Sequence, residues 1–235
     1  MEKHNQNNLT VVKNNHLNRA SYSLTLDERR LILSSIAKLD PRKSMPEEII
    51  IYAADFGNQW GIDETNAYRQ LKQARQNLYE RNIRLRKSNG KVTDMRWVYE
   101  ASYADGEGYI SMAFSPKIIP YLTDLKSHFT SYHLMEVSNF KSSHAIRLYE
   151  LMMQYKETGW MKESLQGLKI MFDVVDSYPT WYEFKRNVIL ISVKEINSKT
   201  NYTIKYELVK RGRNVTHVNF TFARNEQSDM FKPPN

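Results

Sequence analysis

The chain has 235 residues, of which 41% are hydrophobic, so it is long and apolar enough to fold as one large or two small domains. It carries 34 Lys and Arg against 26 Asp and Glu, and the net charge of +8 favours a polyanionic partner, with nucleic acid preferred over a membrane. No apolar run approaches the roughly 20 residues of a transmembrane helix, and the lack of cysteine excludes disulfides, Cys-based zinc sites and a thiol nucleophile.

The two ends of the chain are polar, and we expect residues 1–19 and 225–235 to be flexible. The first eight residues contain no hydrophobic segment of the kind found in a secretory signal. We therefore expect a cytoplasmic protein with no membrane partner.

The N-terminal half, residues 20–125, has the pattern of a helix, a strand, a helix-turn-helix and a hairpin. Thr25 or Asp27 can cap the first helix, which is predicted to end before Asp40 and Pro41. Apolar periodicity predicts the elements that follow as a strand at 48–52, helices at 53–60 and 64–81, and strands at 83–86, 93–103 and 109–114.

The helix predicted at 64–81 has one apolar and one polar side. Four residues four or three positions apart form the apolar side, namely Ala67, Leu71, Ala74 and Leu78. Solvent therefore faces the opposite side, for which we predict contacts with DNA through Arg69, Lys72, Gln73 and Gln76. An ordinary solvated face is the alternative, and Glu80 on the same side favours it.

The C-terminal half, residues 126–224, repeats this order of elements. A short helix at 118–122 and an extended run at 129–134 lie near the junction of the halves. The elements predicted after them are a helix capped by Ser142, an extended link at 160–161, a helix at 164–172, a turn at 178–179 and a long helix at 181–198.

The long helix separates apolar from polar side chains at 3.6 residues per turn. Its apolar side is predicted to contain Trp181, Phe184, Val188, Ile191 and Ile196. Four basic or amide residues are predicted to lie in a major groove, namely Lys185, Arg186, Asn187 and Lys194. Because Arg can bond guanine and Asn can bond adenine, we expect Arg186 and Asn187 to read bases. The alternative is again a solvated helix face.

A hairpin follows the long helix directly. Alternating apolar residues predict strands at 202–208 and 215–222, with one slip near His217, and Gly212 suits the turn. Residues 181–213 contain eight Lys and Arg against three Asp and Glu, which is +5 of the total charge. We therefore predict that phosphates or a minor groove contact Lys210, Arg211 and Arg213. The predicted fold class is α+β, with two tandem winged-helix domains, each a helix-turn-helix plus a β-hairpin wing.

Several strings of this sequence resemble the replication initiator (Rep) proteins of iteron-containing plasmids. The strings are Leu24-Thr-Leu-Asp-Glu-Arg-Arg-Leu-Ile-Leu33, His144-Ala-Ile-Arg-Leu-Tyr-Glu-Leu-Met-Met153, Phe184-Lys-Arg-Asn-Val-Ile189, Val193-Lys-Glu-Ile-Asn197, Lys210-Arg-Gly-Arg213 and Val218-Asn-Phe-Thr-Phe222. The resemblance implies that the C-terminal winged helix binds the iteron repeat, while the N-terminal one adds DNA contacts and mediates dimerisation. It also implies that monomers open the origin and dimers repress their own gene.

The partners implied by this resemblance are double-stranded DNA, a second copy of the chain, and the host initiator and replicative helicase. The DNA would be the direct repeats of an origin and the inverted repeat of an operator. A dimer with two-fold symmetry suits an inverted repeat, whereas direct repeats favour monomers. We expect the N-terminal hairpin to carry the dimer surface, through Tyr99, Tyr103, Tyr109 and Met112.

The sequence contains no pattern typical of an enzyme. Rolling-circle initiators hold a metal with a His-hydrophobic-His pair, and no such pair occurs among the six histidines. Gly90 and Lys91 lack the other residues of a nucleotide-binding P-loop. We therefore expect no catalysis, no metal and no cofactor, so that origin opening draws on binding energy.

Two other functions fit the same modules. A dimeric winged-helix transcriptional regulator would bind specific DNA without starting replication. A protein-protein adaptor would bind no DNA, and the charge concentrated in residues 181–213 argues against it. Initiator and regulator differ in whether the protein supports replication of a plasmid bearing its repeats.

Overall fold

The computed structural model describes residues 9–86, 89–103 and 105–225, and these form two compact units. The first unit extends to Asn139, and the second begins at Phe140. Each unit has its own buried core of aliphatic and aromatic side chains. Residues 1–8 and 226–235, within the ends that we expected to be flexible, lie outside the described residues.

The first unit combines four α-helices and two 3-10 helices (Ile119–Tyr121 and Leu134–Val137) with three small antiparallel sheets in its described part. The α-helices are α1 (Asn15–Asn18), α2 (Leu26–Ala37), α3 (Ala53–Trp60) and α4 (Glu64–Tyr79), and the strands are β1 (Thr10–Asn14), β2 (Ile49–Tyr52), β3 (Asn82–Arg86), β4 (Val92–Arg96), β5 (Val98–Tyr103), β6 (Tyr109–Phe114) and β7 (Phe129–His133). The main sheet has the order β2-β6-β5, while β1 pairs with β7 and β3 pairs with β4.

The start of the described chain is part of the core, and this differs from the flexible segment predicted at 1–19. The strand β1 pairs along its whole length with β7, and Val11 and Leu17 are fully buried. Residues 126–139 therefore belong to the first unit, whereas the sequence predicted them in the C-terminal domain. Both differences arise because the pairing of β1 with β7 joins segments far apart in sequence, which local composition does not reveal.

The helix α2 begins with a capping box at Thr25. The hydroxyl of Thr25 accepts a hydrogen bond from Glu28 N at 3.3 Å, and Glu28 Oε2 accepts one from Thr25 N at 3.0 Å. The buried Glu28 carboxylate also accepts two hydrogen bonds from the Arg81 guanidinium, at 2.9 and 3.0 Å. These hydrogen bonds raise the pKa of Arg81. One buried acid thus joins the start of α2 to the chain that follows α4.

The run predicted as one strand at 93–103 forms two strands in different sheets. The strand β4 pairs with β3, whereas β5 pairs with β6. Trp97 lies between β4 and β5, is almost fully buried, and contacts the ring of Tyr22 edge-on at a centroid distance of 5.1 Å. The burial of this side chain accompanies the change of sheet, which the continuous β pattern of the sequence does not show.

The helix-turn-helix of the first unit consists of α3 and α4. Gly61 ends α3 with a φ of +64°, a conformation that glycine adopts without strain. Gly57 permits close packing, because a Cβ at this position would lie 2.5 Å from the carbonyl oxygen of Ile62. The buried side of α4 consists of Ala67, Leu71, Ala74 and Leu78, as its spacing predicted.

The second unit places helices beside one three-stranded sheet. Its elements are α5 (Ser143–Met153), β8 (Trp160–Ser164), α6 (Leu165–Phe172), α7 (Trp181–Phe184), a π-helical turn (Lys185–Ile189), α8 (Leu190–Lys199), β9 (Tyr202–Arg211) and β10 (Asn214–Arg224). The sheet order is β8-β10-β9. Ser142 and Ser164 cap α5 and α6, as predicted for Ser142. The helix α7, the π-helical turn and α8 are continuous, and we call residues 181–199 the long helix.

We predict that Glu28→Ala lowers the free energy of unfolding by about 2–4 kcal/mol, because it removes a helix cap and a buried partner of Arg81. Urea unfolding followed by circular dichroism measures the change. The matched control is Glu80→Ala, since Glu80 pairs with Arg96 at the surface, where an ion pair contributes little. Equal losses in the two variants would contradict the structural role of Glu28.

Candidate nucleic-acid interface

The π-helical turn decides which side chains of the long helix face outward. Its fully buried positions include Phe184, Val188, Ser192 and Ile196, which are four residues apart. In an ideal α-helix that spacing would drift around the axis by about 40° at each step. The π-helical turn, in which Leu190 N donates to Lys185 O, inserts the extra residue that keeps these positions on one side. Ser192 is therefore buried, and Ile191, predicted to be buried, is 43% exposed.

The end of the turn that leads into the long helix is held by two sets of hydrogen bonds. Lys169 on α6 donates a hydrogen bond to the carbonyl oxygen of Pro179 at 2.6 Å, and burial lowers the pKa of this lysine. Thr180 and Glu183 form a capping box at the first turn. The hydrogen bonds from Thr180 lower the pKa of Glu183, so its carboxylate stays ionised beside the positive end of the helix.

Four exposed side chains, again four residues apart, lie on the outer surface of the long helix, opposite the buried positions. We call this set the outer row, which consists of Tyr182, Arg186, Leu190 and Lys194. The Arg186 guanidinium lies 5.7 Å from the centroid of the Tyr182 ring, a cation–π arrangement. Within the described residues, neither Arg186 nor Lys194 makes an ion pair. The outer row therefore presents two cations at an otherwise apolar or aromatic surface.

The other predicted residues of this helix lie beside the outer row. Lys185 and Asn187 are half-buried, and Asn187 Nδ2 donates a hydrogen bond to the carbonyl oxygen of Glu183 at 3.0 Å. Part of the amide that would read an adenine is thus already used within the helix. Of the two residues predicted to read bases, Arg186 has the more accessible polar group.

Two further polar residues of the long helix hold the second unit together. Asn197 bonds both backbone groups of Ile204, accepting from N at 2.7 Å and donating to O at 3.1 Å, and so satisfies the edge of β9. Glu195 accepts hydrogen bonds from Lys141 N and Ser142 N at the start of α5, and pairs with Lys199 at 3.1 Å. The positive charge of Lys199 is therefore balanced internally.

The wing consists of β9, β10 and a two-residue turn at 212–213. Arg211 is paired with Asn214, and Gly212 has a φ of +60°, which favours glycine in such a turn. The strand register shifts between Val215 and His217, which confirms the slip predicted there. The three predicted basic side chains are exposed near the tip and make no ion pair with any described residue, namely Lys210, Arg211 and Arg213.

In the first unit, the outer side of α4 is joined to the turn of its own hairpin. Lys72 Nζ donates to Asp105 Oδ1 at 2.9 Å and lies 4.1 Å from the centroid of the Tyr103 ring. This hydrogen bond raises the pKa of Lys72. Arg69 and Gln73 are exposed but bond neighbours on α4, Asn66 at 2.7 Å and Asn77 at 2.9 Å.

The last predicted residue of this helix, Gln76, is exposed. Arg75, which the sequence reasoning did not select, also stacks on Tyr103 and donates to Ala101 O at 2.9 Å. The four predicted residues thus share one surface of α4, on which Lys72 is engaged by an acid.

Sequence reasoning did not select Tyr182 and Leu190 as members of the candidate interface. A helical projection at 3.6 residues per turn cannot anticipate a π-helical turn. The sequence did contain a signal of the π-helical turn, since Phe184, Val188 and Ile196 recur at multiples of four residues. The polar Ser192, at the remaining position of this series, made the pattern hard to recognise.

No group of three or more acidic or histidine residues in the described ranges is arranged to hold a metal ion. None of the helices described is both long and apolar enough to cross a membrane.

Comparison with known proteins identifies relatives over most of the chain. A family model described as "Initiator Replication protein, WH1" matches residues 10–153, and one described as "Initiator Rep protein, WH2" matches residues 164–222. The "Replication initiation protein" of Escherichia coli is 28% identical over 232 residues, covering 94% of this chain and 72% of that protein. The "PI protein" of Escherichia coli is 26% identical, covering 90% of this chain and 82% of that protein.

A solved structure has the same fold. It is the crystal structure of the Pi initiator protein in complex with iteron DNA, with a TM-score of 0.80 and 24% identity, over 94% of this chain and 99% of that one. The predicted fold of two tandem winged-helix domains is therefore confirmed. The two family models together span both units, and the chain belongs to the family of initiator replication proteins.

Proposed function

We propose that this chain is a plasmid replication initiator that binds the direct repeats of its origin as double-stranded DNA. The observation that carries the proposal is that one unit contains both the outer row, with its exposed Arg186 and Lys194, and a wing with a basic tip. A helix in the major groove can read base edges, while a wing contacts the backbone. The relationship to the Pi initiator, whose structure contains iteron DNA, supports direct repeats as the target.

In the proposed function the protein acts by binding DNA and not by catalysis. The basic side chains of the outer row and wing match the phosphates of a duplex, and the release of counterions from those phosphates drives association. In this proposal the free energy of binding to several repeats helps to open the origin in the cytoplasm. Strand separation beyond that point is the work of the replicative helicase, which the bound protein recruits with the host initiator.

We predict that Arg186→Ala weakens binding to the cognate repeat by about 1–3 kcal/mol and relaxes the preference at one base pair. The reason is that an exposed guanidinium can form two hydrogen bonds with one guanine. Fluorescence anisotropy with the origin repeat, with single-base variants of it and with a random duplex measures both effects. Undiminished affinity for the repeat would remove Arg186 from the interface.

The matched control replaces the wing residues Lys210, Arg211 and Arg213 with Ala. This variant should lose affinity equally for the repeat and the random duplex, because phosphates carry no sequence information. The slope of log affinity against log salt should fall by up to about 0.9 for each lost phosphate contact. An unchanged slope would show that the wing points away from the duplex.

We further propose that the first unit adds DNA contacts through α4, with Lys72 exchanging Asp105 for a phosphate. Replacing Arg69, Lys72, Gln73 and Gln76 with Ala should shorten the hydroxyl-radical footprint of the full chain. The control is Arg42→Ala with Lys43→Ala, which removes the same charge from exposed positions outside α4. A footprint of unchanged length would exclude α4 from the interface.

The first unit is also proposed to mediate a dimer that represses its own gene, while monomers bind the direct repeats. Of the residues predicted for the dimer surface, Tyr99 and Tyr103 are exposed, at 54% and 40%, and supply surface for association, whereas Tyr109 is half-buried against Tyr52. Met112, which we had included in this surface, is buried and accepts a hydrogen bond from Ser35 at 3.4 Å. It belongs to the core, because it faces inward from the central strand β6.

We predict that sedimentation detects a concentration-dependent dimer in free solution and one chain on each direct repeat. A two-fold dimer cannot place both of its wings identically on repeats of the same orientation, which is why monomers are expected there. A protein that remains dimeric at nanomolar concentration, and loads as a dimer on every direct repeat, would favour the alternative function of a transcriptional regulator.

A further inference from the structure

Leu190 occupies the middle of the outer row without apolar cover. Its side chain is 45% exposed, and the residues one turn before and after it are Arg186 and Lys194. In the free protein a leucine at this position exposes apolar surface to water, which burial would favourably remove. The buried side of the helix is already filled, so the fold itself gives Leu190 no place to pack. The exposed surface of Leu190 is therefore available to a bound partner.

We propose that Leu190 contacts the 5-methyl group of a thymine, and that this thymine lies within about two base pairs of the pair read by Arg186. The proposal rests on the proposed DNA binding by the long helix. Among base edges in the major groove, the thymine methyl is the apolar group, so it is the natural contact for an exposed leucine.

The geometry of the helix sets the distance between the two contacts. Leu190 follows Arg186 by four residues, which is at most about 6 Å along the axis, because the intervening π-helical turn rises less per residue than the 1.5 Å of an α-helix. Successive base pairs are about 3.4 Å apart along a strand. The two side chains therefore address neighbouring or next-neighbouring base pairs, one through hydrogen bonds and the other through apolar contact.

A partner protein is the less suitable occupant of this surface. The outer row contains no acidic residue, and two of its four members are cations that make no ion pair with any described residue. The charge of residues 181–213 favours the major groove of a duplex, with its flanking phosphates, as the surface that meets Leu190. Tyr182 supports Arg186 from the other side and leaves Leu190 as the central apolar contact of the row.

The experiment removes single methyl groups from DNA. A duplex is selected from a random library by the full chain, and each thymine is then replaced, one at a time, by deoxyuridine. At one position near the guanine read by Arg186, we expect about fourfold weaker binding, because burying one methyl group contributes about 0.8 kcal/mol. In Leu190→Ala the same replacement should leave the affinity nearly unchanged, since the side chain that met the methyl group is gone.

The matched control is Ile191→Ala. Ile191 is almost as exposed as Leu190, at 43%, but lies about 100° around the helix, in line with Asn187 and Glu195, which bond within the protein. This variant should keep the fourfold penalty for deoxyuridine. Thermal unfolding of both variants checks that they fold, as expected for substitutions at exposed positions.

Three outcomes would overturn the proposal. The first is equal affinity for thymine and deoxyuridine at every position. The second is a loss of affinity with deoxyuridine that persists in Leu190→Ala, and the third is a loss that disappears in Ile191→Ala. Failure of the proposed function looks different, because the library would then yield no preferred duplex and Arg186→Ala would not alter binding. A selected duplex whose affinity depends on Arg186 but not on any thymine methyl contradicts this inference alone.

Discussion

The π-helical turn of the long helix is the constraint on which the candidate interface depends. It adds one residue to the helix, and so lets Phe184, Val188, Ser192 and Ile196 share one buried side. Because these four positions are buried, the residues on the opposite side of the helix, which form the outer row, face outward. A polar Ser192 can occupy the core because its hydroxyl donates to Val188 O at 2.7 Å. Ile191, which a straight α-helix would place on the apolar side, is exposed for the same reason.

The strings that resemble the initiator family contain more structural than surface residues. Glu28, in the first string, is the buried acid that caps α2 and binds Arg81. Arg147 and Glu150, in the second, lie 3.7 Å apart in the core, and Arg147 also donates to the carbonyl oxygen of Met171. Such buried charges are costly to leave unpaired, so they fix how helices meet. The resemblance therefore reflects the fold of each module more than the bases that it reads.

Local patterns were sufficient to predict most elements and insufficient wherever distant residues decide the structure. The caps at Thr25 and Ser142, the buried side of α4 and the slip near His217 all depend on neighbours in sequence, and were predicted. The pairing of β1 with β7 depends on long-range contacts and was missed. For the site, residue type indicated which cations to select, but the internal bonds of Asn187 and Lys72 appear only in three dimensions.

The two hairpins carry opposite charges, and this difference assigns unequal roles to the two modules in the proposed function. The turn of the first hairpin contains Asp105 and Glu107, whereas the second wing has three cations near its tip. Carboxylates repel phosphates, and Asp105 already occupies Lys72, so a phosphate must replace an existing ion pair in the first unit. The gain from that exchange is small. In the proposed function the second unit should therefore supply most of the electrostatic affinity, while DNA contacts of the first remain weak and reversible, as suits a module that is also proposed to mediate the dimer.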